Sequence, residues 1–180
     1  MGMGTLIIFI AMIIVAAIAA SVLVSTTTSL QNTALQTGSA TQDEVGTALN
    51  VIEIFGEDGT TGQLDNITTI VSLSAGSEPI RLDDLLVSIA LSNESSDYVF
   101  SGNTTFSTTN FGVEYSIEGA NNRNGFISTG DVARLSFESP RGIEESENVR
   151  VSFIPKVGTP RTVETLSPNL ILDQRSKIFP

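Results

Sequence analysis

The first 42 residues carry no Asp, Glu, Lys or Arg. Within them, Leu6 to Val24 reads LIIFIAMIIVAAIAASVLV, nineteen residues in which Ser21 is the one hydroxyl. Such a segment has three fates: a cleaved export signal, a membrane span, or a helix packed against other protein. A secretory signal needs a basic region, a short apolar core and a cleavage site. No Lys or Arg precedes Arg81, and the run exceeds a usual signal core. At 1.5 Å rise per residue the run covers roughly 28 Å, close to the ~30 Å hydrocarbon core of a bilayer. A membrane anchor, however, usually carries Lys or Arg on its cytoplasmic flank. Here MGMGT precedes the run, and an uncharged stretch rich in Ser, Thr and Gln follows it.

That polar stretch keeps a helical rhythm. Leu30, Ala34 and Leu35 continue an apolar face, and Val45, Ala48, Leu49 and Ile52 resume it at three- and four-residue steps. Ser25-Thr26-Thr27-Thr28-Ser29 is a poor helix former alone, so a helix through it implies surrounding neighbours. A continuous helix from residue 3 to about 49 would be roughly 70 Å long, more than one bilayer requires. Ala16 and Ala20, and Ala17 and Ser21, are pairs of small residues four apart, a spacing that lets helix backbones approach closely. The expectation is a helix that leaves the bilayer and bundles with copies of itself. Its packing positions are Leu6, Ile10, Ile13, Ala16, Ala17, Ala20, Ser21 and Leu23. An uncharged helix buries no side-chain ion in doing so.

From Asn50 onward the period changes to two. Val113-Tyr115-Ile117, Ala133-Leu135-Phe137 and Val149-Val151-Phe153 alternate with polar residues, the pattern of half-buried strands. Further strands are expected at Val51–Phe55, Ile67–Leu73, Leu85–Leu91, Tyr98–Phe100 and Thr104–Phe106. Turns are expected at Glu57-Asp58-Gly59, Ser101-Gly102-Asn103, Asn121-Asn122-Arg123-Asn124-Gly125 and Ser139-Pro140-Arg141-Gly142. Gly46 marks a kink or the approach to the helix end, and the Pro-containing tail from Pro155 to Pro180 is assigned edge or terminal strands. The reading is α+β: a helix over residues 1–49, then an antiparallel sandwich over residues 50–180.

Composition excludes much chemistry. There is no Cys and no His, so disulfides, thiolate sites and the commonest general base are absent. The net charge of −11 argues against nucleic acid as a partner. Thirteen acidic side chains and Arg81 lie between Asp43 and Glu118, whereas eight basic and seven acidic ones follow from Arg123. That bias serves either solubility or pairing of opposite surfaces on neighbouring copies. The acidic groups at Glu57-Asp58, Asp83-Asp84 and Glu144-Glu145, with Glu147 nearby, lack any partner or pocket for catalysis and read as solvated surface. No cofactor motif is present, and a cation site, were there one, cannot be placed from these residues. Three Asn-X-Ser/Thr sequons begin at Asn66, Asn93 and Asn103.

The segment MGMGTLIIFIAMIIVAAIAASVLVSTTTSLQ resembles the N-terminus of mature archaeal flagellins (archaellins). The likeness is strong over about residues 1–40 and looser around Asp131–Leu135 and Val151–Gly158. It implies a structural, non-enzymatic subunit of an extracellular swimming filament, the archaellum. It implies a homopolymer, or a co-polymer with related archaellins, whose core is a helix bundle and whose outer domain is an immunoglobulin-like β-sandwich. It further implies a leader removed by a prepilin-peptidase-like enzyme, which makes Met1 the first mature residue. Transient membrane insertion, assembly by an ATP-driven membrane motor, and N-glycosylation belong to the same implication. Type IV pilins share the plan but typically carry Glu at the fifth mature position, where this chain has Thr5. An archaeal adhesion pilus subunit is the alternative.

Overall fold

The computed structural model describes residues 2–59 and 62–179. Met1, the expected first mature residue, lies outside them. The helix up to Gln42 and the chain from Asp43 onward are two compact units.

Helix α1 spans Gly2–Gly46 without a break, and none of its residues is buried. Its weakest stretch is held from within. The hydroxyls of Thr26, Thr27, Thr28, Thr33 and Thr41 each donate to the carbonyl four residues earlier, at 2.8–3.0 Å. Each hydroxyl is thereby satisfied inside the helix instead of competing with it for a backbone turn. Gly46 is the last helical residue, and the backbone around it is tied into the second unit. Ala48 N–H donates to Ser77 Oγ at 3.0 Å, and the same hydroxyl lies 3.3 Å from Gly46 O. Thr159 N–H donates to Thr47 O at 2.9 Å. These bonds serve the groups that a helix end would otherwise leave without partners.

The expected continuation of the helical face through Ala48, Leu49 and Ile52 is corrected. Leu49 opens the first strand, β1 (Leu49–Glu57). There Leu49 and Val51 are buried while Asn50 and Ile52 are exposed, so the two-residue period overrides the three-and-four spacing.

The strands that follow are β2 (Leu64–Leu73), β3 (Ile80–Arg81), β4 (Leu85–Ala90), β5 (Ser95–Phe100), β6 (Asn110–Ile117), β7 (Phe126–Ile127), β8 (Val132–Ile143), β9 (Asn148–Pro155), β10 (Arg161–Leu166) and β11 (Arg175–Phe179). Strands β3 and β7 form a small pair, and the others form one sheet in the order β10-β9-β4-β5-β6-β8-β2-β1-β11. All pairings are antiparallel except β5 with β6, which is parallel over Val99–Asn110 and Phe100–Phe111. That short junction divides the sheet into two layers over one core. Val87, Ile89, Val151 and Phe153 come from one side, and Ile67, Leu135 and Phe137 from the other, all fully buried. The Tyr98 and Phe137 rings meet across the core at 4.8 Å between centroids. The outer strands also approach each other: Thr165 Oγ1 donates to Ile178 O at 2.9 Å. Both β10 and β11, the tail strands, are edges of the sheet order.

Two sequence expectations within the sheet fail. Thr104–Phe106 is not a strand. Asn103 Oδ1 accepts from Thr105 N and Thr105 Oγ1, an Asx-type turn that curls the segment before it can pair. Ser139-Pro140-Arg141-Gly142 is not a turn but lies inside β8. The β2–β8 register shifts there, between Leu64–Ile143 and Asn66–Glu138, and Pro140 is tolerated because a bulge needs no ladder N–H at that point.

Candidate assembly surface

The eight helix positions singled out above all lie on α1 and all face solvent in the isolated chain. Leu6, Ile10, Ile13 and Leu23 are 58, 50, 53 and 68% exposed. Their small neighbours Ala16, Ala17, Ala20 and Ser21 add little bulk between them. At 3.6 residues per turn, Leu6, Ile10, Ile13, Ala17, Ala20 and Ser21 fall on one side, within about 100°. Ala16 and Leu23 flank that side. Such an apolar surface is far larger than a soluble monomer exposes.

The β-rich unit, by contrast, has its own apolar core and pairs its buried carboxylates internally. Glu147, expected at the surface, is 8% exposed and forms a forked ion pair with Arg141. Its carboxylate also accepts from Ser92 N at 3.2 Å and Glu144 N at 3.1 Å. Its own N–H donates to Ser167 Oγ at 2.8 Å, and Ser167 Oγ donates to Glu144 O. Burial alone would raise the Glu147 carboxyl. The hydrogen bonds from Arg141, Glu144 and Ser92, with the Arg141 charge, outweigh it and hold the group below the ordinary carboxylate range. Asp131, fully buried, similarly accepts from Gly119 N at 2.7 Å and Ser128 N at 2.8 Å. The donors around both carboxylates are structural and include no nucleophile or paired acid.

The other acidic pairs are surface groups with partial partners. Asp83 pairs with Arg81 at 3.0 Å, and Glu145 Oε1 accepts from Ile171 N at 3.1 Å. The acidic and basic stretches of the sequence meet within the subunit: Glu53 with Lys177, Asp84 with Lys156, and Glu114 with Arg134 at 3.4–3.9 Å. Exposed pairs of this kind contribute about 0–1 kcal/mol each. Among the described residues no group of three or more His, Cys, Asp or Glu is placed to hold a metal ion.

The three sequons fall in different settings. Asn66 is half-buried in β2, with β1 and β8 paired on either side of it. Asn93 is exposed in the turn between β4 and β5, and Asn103 is exposed in the loop after β5.

A long uncovered helix joined to a sheet domain with its own core is the plan of a filament-forming subunit. The model of the archaeal-type flagellin family matches residues 1–165. The chain is 31% identical to flagellin B1 of Methanocaldococcus jannaschii, with 93% of this chain and 89% of that one covered. It is 37% identical to flagellin B1 of Thermoplasma volcanium over 67% of this chain, a match that spans about half (53%) of that longer relative. Its fold resembles the archaeal flagellum subunit of Methanospirillum hungatei over all of this chain and 99% of that one (TM-score 0.75, 15% identity). It also resembles the crystal structure of archaeal flagellin FlaB1 from M. jannaschii over 74% of this chain and 97% of that one (TM-score 0.64, 20% identity). The chain belongs to the archaeal-type flagellin family: it is an archaellin, a structural subunit of the archaeal flagellum filament at the cell surface. The family is structural and not enzymatic.

Proposed function

We propose that α1 is the element through which the subunits polymerise, and that its uncharged stretch through Gln42 forms the filament core while the β-rich unit forms its outer shell. The single observation that carries this reading is the exposure of a 45-residue helix with no charge through Gln42. Burying one of its large apolar side chains contributes about 2 kcal/mol, and α1 offers more than a dozen of them. Leu6, Ile10, Ile13 and Leu23 supply the bulk, and Ala16, Ala17, Ala20 and Ser21 supply the close approach. Related archaellins with the same helix are the expected co-polymer partners. Before assembly the same surface is stable in lipid, which fits a subunit held transiently in the membrane, trimmed by a prepilin-peptidase-like enzyme and extruded by a membrane motor. Contacts between copies are head-to-tail and open-ended, as a filament requires.

N-linked glycan is proposed at Asn93 and Asn103, which are exposed in loops, ahead of Asn66, which is half-buried within a strand. The test of the core reading is Ala17→Lys, which places an unpaired charge in the bundle. Cells making this variant should show no filaments by negative-stain microscopy and should not swim. Filaments of normal appearance would overturn the reading.

A further inference from the structure

The polar side chains in the second half of α1 are of two kinds. Thr26, Thr27, Thr28, Thr33 and Thr41 return their hydroxyls to the helix's own carbonyls. Ser25, Ser29, Gln31, Asn32, Gln36, Thr37, Ser39 and Gln42 make no side-chain hydrogen bond to other described residues, and five of these eight, Ser25, Ser29, Asn32, Gln36 and Ser39, fall in one row. These five are separated by steps of four, three, four and three. At 3.6 residues per turn they share one arc of about 80°. Thr27, Leu30, Ala34 and Thr41 lie on the opposite side, where methyl groups and small side chains dominate.

The stripe carries amides and hydroxyls but no ion. All 20 acidic and 9 basic side chains of the chain lie from Asp43 onward. A helix face turned to water in so acidic a protein has no reason to exclude Asp, Glu or Lys. A face buried between helices does, because an unpaired buried ion is far more costly than a paired amide. The apolar run before it is uniform on every side, so neighbouring helices could slide along it at little cost. Asn and Gln each present donors and acceptors that a slip would leave unmet, and a polar group at such a spacing fixes register between packed helices.

We propose that Ser25, Ser29, Asn32, Gln36 and Ser39 form a hydrogen-bonded seam against α1 of a second copy, and that this seam sets the axial offset between subunits. The apolar run supplies adhesion, and the stripe supplies register. The occupant is a second copy because the stripe lies on the same uncharged helix, along the edge of the side that carries Leu6, Ile10 and Ile13, and the proposal rests on that core reading.

The absence of Cys makes the test direct. Asn32→Cys and Ala17→Cys filaments are treated with a water-soluble maleimide, each beside the same chain unfolded in guanidinium. Both sites should react at least tenfold more slowly in the filament. A protected Ala17→Cys with a freely reactive Asn32→Cys would overturn the seam and leave the helix core standing. Free reaction at both would overturn the two together. In a second experiment, Asn32→Leu/Gln36→Leu filaments are compared by electron microscopy with Thr37→Leu/Thr41→Leu, a control off both the stripe and the side that carries Leu6, Ile10 and Ile13. The seam requires the axial-rise reflection of the first variant to broaden at least twofold while the control stays sharp. An unchanged, sharp reflection from the first variant would also overturn the seam.

Discussion

Arg141 and Glu147, six residues apart across the turn between β8 and β9, form a forked ion pair whose carboxylate side is 7% exposed and whose guanidinium side is 29% exposed. The same carboxylate reaches Ser92 after β4, and Ser167 after β10 is bonded to the Glu147 backbone. Glu147 thus joins three connections that are far apart in sequence, two through its carboxylate and the third through its backbone N–H. Glu147→Ala should leave Arg141 and the Ser92 N–H without their acceptor and destabilise the β-rich unit by about 2–4 kcal/mol. The expected fall in melting temperature is about 6–12 °C, measured by circular dichroism on the full chain in detergent. No change would mean that the pair contributes nothing.

The same carboxylate sets a pH dependence. Its folded value lies below that of an unfolded carboxylate, so its stabilisation is complete above about pH 4.3 and fades as pH falls through the lowered folded value. Glu147→Gln removes the titration. Its melting temperature should therefore start lower than that of the unsubstituted chain at pH 7 and converge toward it below pH 4. Parallel curves from pH 7 to pH 2 would contradict the assignment.

Gly112 in β6 lies beneath the loop that sequence patterning reads as a strand. A Cβ there would stand 2.3 Å from Thr104 O and 2.6 Å from Thr104 C, both backbone atoms. Gly112→Ala should expel that loop or strain β6, costing about 1–3 kcal/mol. Limited proteolysis within residues 101–109 reads the outcome, with faster cleavage expected than in the unsubstituted chain.

The Tyr98 hydroxyl, pushed well above its ordinary pKa by burial, donates to Glu138 O at 2.7 Å. This bond ties β5 to β8 beside the short parallel junction. Tyr98→Phe keeps the ring contact with Phe137 and removes one bond, so a loss of about 1 kcal/mol is expected in chemical denaturation. A loss above about 3 kcal/mol would mean that the ring has shifted as well.

What could be read ahead of the structure follows from where a physical constraint is local. Ala133-Leu135-Phe137 and Val149-Val151-Phe153 each face a core on one side, so their alternation is unmistakable, and all six are fully buried. The helix was legible through its lack of charge, and its end was misplaced by three residues because Leu49 fits both periods. Thr104–Phe106 looked like a strand because its fate depends on the Asn103 carbonyl rather than on hydrophobicity. Pro140 resembles a turn residue because the bulge in β8 that accommodates it is defined only by pairing with Leu64 and Asn66 of β2, far earlier in the sequence. The sequence places Glu147 at a solvated surface because its neighbours Glu144 and Glu145 suggest a charged face. The donors that bury it come from Ser92 and Arg141, and sequence spacing gives no hint that they converge.

The sequons make the last prediction. At Asn103 the side-chain carbonyl already accepts from the backbone N–H and hydroxyl of Thr105, so the tripeptide holds a compact, exposed turn with its amide nitrogen free of any such bond. Asn93 sits in the exposed turn between β4 and β5, next to Ser92, which the Glu147 carboxylate anchors. Asn66 shares β2 with Ile67, Thr68 and Thr69, all buried, and is flanked by Glu57 and Glu138 on the paired strands. A glycan there would have to emerge from the middle of the sheet between those neighbours. Intact-mass measurement of native filaments should therefore lose one glycan mass in Asn93→Gln and one in Asn103→Gln, with Asn66→Gln unchanged apart from the substitution itself. A glycan lost at Asn66 alone would reverse the assignment and show that modification precedes folding of the sheet.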